Sequence, residues 1–165
     1  METYSKALNG GQYPLSVLAV NERAAKVYAK GTYGNTMTTN PRAMDIATTV
    51  LNSLTPDIRA NIRNKGQEAL DKLNALKAEL GGLITKVQGT GLLFSCELDP
   101  SFKCYGANST EEYMRERGIG VIHGGTNSLR FTPHFGITSA EMDLMISHIR
   151  LALLNGPRKQ EAAAA

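Results

Sequence analysis

The stretch Gly81-Gly82-Leu83-Ile84-Thr85-Lys86-Val87-Gln88-Gly89-Thr90-Gly91-Leu92-Leu93-Phe94-Ser95-Cys96-Glu97-Leu98 is where the hydrophobic period of this chain changes. Ahead of it, Ile58, Ile62, Ala69, Leu70, Leu73, Leu76 and Leu80 recur at helical spacing, and the double glycine is a stop signal for that helix. Within it, Leu83 to Val87 and Leu92 to Leu98 read as strands around a Gly89-Thr90-Gly91 turn, which makes a hairpin.

Working outward, Thr55-Pro56-Asp57 starts the long helix, and Asn40-Pro41 starts the one before it. Asn suits the N-cap, Pro suits the first helical position, and Met44, Ala47, Val50, Leu51 and Leu54 follow at helical intervals. Gly66 is out of place inside the long helix. Beyond the hairpin, Ser109 with Glu112 predicts a capping box opening a short helix that ends at Gly118. Ile119 to Ile122 and Ser128 to Thr132 predict two short strands. Thr138 with Glu141 predicts a second capping box. The last helix turns Met142, Met145, Ile146, Ile149 and Leu153 inward and stops at Gly156-Pro157. At the other end, Met1 to Ser16 reads as a polar glycine-rich loop, Val17 to Val20 as a strand and Asn21 to Lys30 as a helix. Gly31 to Thr39 reads as a loop rich in hydroxyls. Helices laid on a small, mostly antiparallel sheet are the expected fold, of α+β or α/β class.

Composition bounds the function. The chain has 165 residues, 42% of them hydrophobic and 20% charged, which describes a globular domain able to bury a core without disulfide or metal staples. A net charge of +3, with the basic residues scattered, gives no nucleic-acid footprint. No stretch reaches the ~20 apolar residues of a membrane helix, the first residues lack the basic flank, apolar run and small-residue cleavage site expected of a secretory leader, and Cys96 and Cys104 lack metal or disulfide spacing. A cytoplasmic protein with no metal site is the expectation.

Three segments could carry chemistry. In Ser5-Lys6-Ala7-Leu8-Asn9-Gly10-Gly11, a lysine beside glycines can be held in a tight loop with the lowered pKa that Schiff-base chemistry needs. A solvated lysine is the commoner meaning of such a string by itself. Gly31-Thr32-Tyr33-Gly34-Asn35-Thr36 offers backbone and side-chain donors to a phosphate near a helix start, and a plain connector is its commoner meaning. In Ser128-Leu129-Arg130-Phe131-Thr132-Pro133, an arginine between apolar residues either grips a carboxylate or lies exposed on a half-buried strand. His123, ahead of Gly124-Gly125, reads as structural or exposed.

In this order, and with Val87-Gln88-Gly89-Thr90-Gly91-Leu92-Leu93 between the last two, the segments resemble the C-terminal part of a class III aminotransferase. That subgroup of fold-type I pyridoxal-phosphate enzymes includes ornithine, acetylornithine, 4-aminobutyrate and lysine ε-aminotransferases. The resemblance runs from Ser5 to about Leu154. It implies that Lys6 is the catalytic, Schiff-base lysine and that Asn35 and Thr36 bind the cofactor phosphate of a neighbouring subunit. It implies that Arg130 binds the substrate carboxylate. Thr38-Thr39 and Tyr33 depart from the glycines and histidine that many members carry there.

The resemblance further implies a remnant of the large pyridoxal-phosphate domain at 1–54, a small C-terminal domain at 55–156 and a tail at 157–165. The family's main seven-stranded sheet is largely missing, because its same-subunit phosphate loop, its ring-stacking aromatic and the Asp for the ring nitrogen all precede the lysine. The expectation is therefore a fragment: a truncated chain, a proteolytic product or half of a split gene whose partner is a separate N-terminal chain. The implied reaction moves an amino group from a small amino acid, ω-amines included, to a 2-oxo acid in a homodimer. An inactive folding or interaction module is the alternative.

Overall fold

A computed structural model of the chain describes residues 1–31 and 40–159. It divides into two compact units, Met1–Pro56 and Asp57–Ala165.

In the first unit, β1 (Glu2–Ser5) pairs antiparallel with β2 (Ser16–Ala19), in a register that sets Glu2 opposite Ala19 and Ser5 opposite Ser16. The polar opening segment is thus partly a strand rather than all loop. The sequence hides it because every residue of both strands is exposed, so no alternation marks a buried face. A 3-10 turn, Lys6–Asn9, sits between the strands. Helix α1 covers only Glu22–Ala25, with the Asn21 carboxamide oxygen accepting from the Ala24 amide at 3.0 Å. The expected continuation to Lys30 fails because Val27 and Tyr28 are exposed and bury nothing that would offset the entropy of further turns. Helix α2 (Pro41–Ser53) begins as its start signal requires: Asn40 Oδ1 accepts from the amides of Arg42 at 3.0 Å and Ala43 at 3.4 Å. It buries Ala43 and Ala47. An apolar groove of about 370 Å³ remains open between it and the strands, with Leu8, Leu15, Val17, Met44 and Leu51 in its walls.

The second unit holds the main core. Helix α3 (Pro56–Glu79) leads to a four-stranded antiparallel sheet of β3 (Ile84–Thr90), β4 (Leu93–Leu98), β5 (Ile122–Gly124) and β6 (Ser128–Phe131), in spatial order β3-β4-β6-β5. Helices α4 (Thr110–Arg115) and α5 (Ser139–Asn155) complete it. Phe94, Cys96, Leu98, Leu129 and Phe131 point inward from the sheet and meet Leu73, Leu76, Met114, Met142, Ile149 and Leu153 from the helices. The Phe94 and Phe131 rings stack at 5.5 Å.

Pairing in the hairpin continues to Thr90 opposite Leu93, so the turn is Gly91-Leu92 and not Gly89-Thr90-Gly91. Gly91 takes φ +55°, the positive value that a two-residue hairpin turn asks of its first residue. Gly66 explains itself here: a Cβ on it would lie 2.7 Å from Gly91 Cα and nearer still to the Gly91 carbonyl. Backbone meets backbone, and a side chain at 66 has no room. At α4, Ser109 Oγ accepts from the Glu112 amide at 3.2 Å, but the Glu112 carboxylate accepts from Asn108 N, so only half of the expected capping box forms. At α5 both arms of the Thr138–Glu141 box are present. Strand β5 starts at Ile122 rather than Ile119, since Val121 turns into the core before the ladder begins. Asn127 clasps the segment that leaves β4: its Nδ2 donates to the carbonyls of Leu98, Asp99 and Phe102 at 3.1–3.3 Å, and its Oδ1 accepts from Cys104 N. Residues 158 and 159 dock rather than trail, with the Arg158 guanidinium 3.7 Å over the Phe102 ring and Lys159 N donating to the Ser101 carbonyl at 2.7 Å. Cys96 and Cys104 are free and buried, and burial pushes both thiols up to about 12.

Helices α3 and α5 are also tied by charge. Glu68 accepts from Lys65 at 2.6 Å, Lys72 at 2.7 Å and Ser139 at 3.0 Å, while Lys72 also binds Asp143. The two lysines hold the Glu68 carboxyl down at about 2.

Gly66→Ala, which in an open helix would stabilise by ~1 kcal/mol, is expected to destabilise the second unit by ~1–3 kcal/mol in urea titrations. Because Glu68 is depressed in the folded state, its contribution is present above pH ~4.5 and fades as pH falls toward ~2. Urea midpoints of Glu68→Gln are expected to lie below wild type at pH 7 and to converge on it across that window.

Candidate active site

Lys6 opens the 3-10 turn with φ +59°, one of two non-glycine residues with positive φ among those described. That geometry costs a side-chain-bearing residue ~1–2 kcal/mol, and it persists here on the turn closed by Gly10 N donating to the Ala7 carbonyl. Beneath it Asn9 is fully buried; its Nδ2 donates to the Tyr13 carbonyl at 2.8 Å, and its Oδ1 has no hydrogen-bond partner among the described residues. The lysine therefore stands on a turn that the interior holds from below. Its ammonium is exposed and makes no hydrogen bond or ion pair with any described residue. It lines an open cleft of about 430 Å³ with Gln12, Tyr13 and Ser16. By residue type alone Asn9 carries no signal of a site, and the Asn9-Gly10-Gly11 string announces only the turn.

Arg130 lies in the second unit, on β6, between the buried Leu129 and Phe131. Strand alternation turns it to the opposite, exposed face, and among the described residues its guanidinium has no carboxylate or carbonyl partner. It borders two clefts of about 450 and 420 Å³. Such a group is ready to grip an incoming carboxylate with two parallel hydrogen bonds. Asn35 and Thr36 lie outside the described residues. Lys6 and Arg130 fall in different units.

His123 is half-exposed and has structural company: Nδ1 is 3.1 Å from the buried Glu111 carboxylate, which also pairs with Arg115, and the ring lies 4.1 Å from the Tyr105 ring. Among the described residues no group of three or more His, Cys, Asp or Glu side chains could hold a metal ion, and no helix is long and apolar enough to cross a membrane.

The family model of aminotransferase class-III matches residues 1–153. The chain belongs to the class III aminotransferases. Two curated members it resembles are succinylornithine transaminases. The one from Citrobacter koseri is 30% identical over 151 residues, and the one from Salmonella newport is 28% identical over the same length. Each match covers 91% of this chain and 36% of the relative, so the chain spans about a third of the length of the curated members it matches. Among solved structures, ornithine delta-aminotransferase of Plasmodium falciparum is similar with a TM-score of 0.80 at 25% identity, covering 92% of this chain and 38% of that one. Acetylornithine aminotransferase of Elizabethkingia anophelis is similar with a TM-score of 0.78 at 25% identity, covering 92% and 40%. The mixed α/β architecture is that of the C-terminal portion of the pyridoxal-phosphate transferase fold.

The family depends on pyridoxal phosphate. The described residues fit that group on one count of chemistry: an aldehyde needs a primary amine free of competing ion pairs, and Lys6 offers one at the mouth of a cleft.

A guanidinium without an internal partner adds little to folding. Arg130→Met is expected to leave the urea stability within ~0.5 kcal/mol of wild type, as urea midpoints of the two chains would show.

Proposed function

We propose that this chain supplies the lysine and substrate-carboxylate parts of a pyridoxal-phosphate aminotransferase site. The reaction would move an amino group from a small amino acid, its ω-amine included, to a 2-oxo acid. The observation that carries this reading is Lys6, an amine without a partner among the described residues, held at positive φ on a turn supported by Asn9. Uncommon backbone conformations of side-chain-bearing residues cluster at functional sites, and that is the support this lysine's conformation gives to the reading.

Lys6 would hold the cofactor through its amine and, when the substrate amine takes its place, carry a proton to and from the substrate carbon as general base and acid. Bound pyridoxal phosphate supplies the electron sink that lets the C–H bond beside the substrate amine ionise. Asn35 and Thr36 would hold its phosphate across a homodimer interface. Arg130 would fix the substrate carboxylate, and its planar fork sets the orientation as well as the charge. Completion of the site calls for the rest of the family fold, which relatives carry in the nearly two thirds of their length that this chain does not match.

A second reading has its own support. The second unit contains the main core, while in the first only Asn9, Ala43 and Ala47 are buried among the described residues. An inactive small domain with an appended segment would look the same in that respect.

One experiment separates the two: pyridoxal phosphate is added to the purified chain, borohydride follows, and the modified lysine is mapped by peptide mass spectrometry. Labelling concentrated on Lys6 is the expected result. Labelling spread over the other lysines at equal yield sinks the assignment and favours the module. In enzyme that turns over, Arg130→Lys is expected to raise KM for the carboxylate substrate about tenfold or more, because a paired charged hydrogen bond is lost.

A further inference from the structure

Arg130 is not isolated on its sheet. The registers align Gln88 with Ser95, Ser95 with Arg130, and Arg130 with Ile122, so these four residues form one row straight across β3, β4, β6 and β5. The row is on the face turned away from Phe94, Leu129 and Phe131, which are buried. Gly89, next to Gln88, presents its hydrogen toward Phe94 on the core side, where a Cβ would come 2.5 Å from the Phe94 Cβ. That close approach leaves Gln88 facing out. Gln88, Ser95 and Arg130, with Thr90 and Leu93, line the cleft of about 450 Å³.

Within that row the polar side chains of Gln88, Ser95 and Arg130 form no hydrogen bond or ion pair with described residues. Ser95 is half-buried, so its hydroxyl gives up part of its hydration without gaining a partner. Directly opposed residues have Cβ atoms about 5 Å apart, close enough for the Ser95 hydroxyl and the Arg130 guanidinium to reach one carboxylate. Gln88 stands two strand spacings, about 10 Å, from Arg130 and reaches a different group on the same ligand.

We propose that the Gln88–Ser95–Arg130 row is a substrate-reading strip for carboxylates that carry a second hydrogen-bond acceptor further along the chain. Ser95 donates to the carboxylate held by Arg130, and the Gln88 amide donates to the distal acceptor. The exposed Leu93 borders the aliphatic segment between them. This rests on the reading of Arg130 as a carboxylate site.

The test is an NMR titration of the ¹⁵N-labelled full chain with glutarate, which has a distal carboxylate, and with pentanoate, which has the same carbon count and none. Saturable shifts are expected at the Gln88, Ser95 and Arg130 amides with both, and tighter binding with glutarate. Ser95→Ala is expected to weaken both ligands about tenfold. Gln88→Leu is expected to weaken glutarate about fivefold and leave pentanoate unchanged. If Arg130→Lys weakens both ligands while Ser95→Ala and Gln88→Leu match wild type, the strip is overturned and the carboxylate role of Arg130 stands. If wild type gives no saturable shift at Arg130 with either ligand, that role falls and the strip with it. Equal affinity of wild type for the two acids overturns the part assigned to Gln88.

Discussion

The second unit depends on a place where two backbones touch. Gly66 in the middle of α3 and Gly91 at the tip of the β3–β4 hairpin approach so closely that a methyl group cannot fit between them. This contact fixes where the hairpin lands on the helix. β4 then pairs with β6, β6 pairs with β5, and the inward side chains of β4 and β6 meet the apolar face of α3. The direction of Arg130 follows from that chain of constraints: once Leu129 and Phe131 are committed to the core, a period of two leaves the guanidinium no other face.

The two units solve different physical problems. The second has a continuous core, a complete capping box on α5, the Glu68–Lys65–Lys72 network and an asparagine clasp, all of which spend side chains on staying folded. The first keeps a lysine in an uncommon backbone conformation above a buried asparagine whose oxygen has no partner among the described residues, and an apolar groove lies along α2. A side-chain-bearing residue kept at positive φ is a cost that a region selected for stability alone would shed.

Sequence patterns revealed elements wherever a local rule coincided with a buried face. The Asn40-Pro41 and Thr138–Glu141 starts and the long α3 were legible because caps and periodicity agreed, and the hairpin was legible as two strands although its turn lies two residues further on, at Gly91-Leu92. β1 was not, since its four residues are all exposed and only cross-strand pairing defines it. The Ser109 box formed by half because Asn108, at φ +53°, brings its own amide to the Glu112 carboxylate. Gly66 read as a flaw in a helix because its reason lies 25 residues away, in a contact that no window along the chain contains. Lys6 and Arg130 could be singled out by residue type and neighbours. The support of Asn9, and the alignment of Gln88 and Ser95 beside Arg130, are tertiary and register facts, and single-sequence reading has no access to them.

Cys96 and Cys104 sit inside the core with thiols pushed to about 12, so almost none of either is thiolate at neutral pH while the chain is folded. A thiol-reactive dye consequently reads molecules that have opened, not the native surface. Cys96 is inside the sheet, opposite Leu129, and Cys104 lies under the Asn127 clasp. The two sulfurs thus form a built-in clock for opening of the second unit, with rupture of the β4–β6 ladder timed at one and release of the loop at the other.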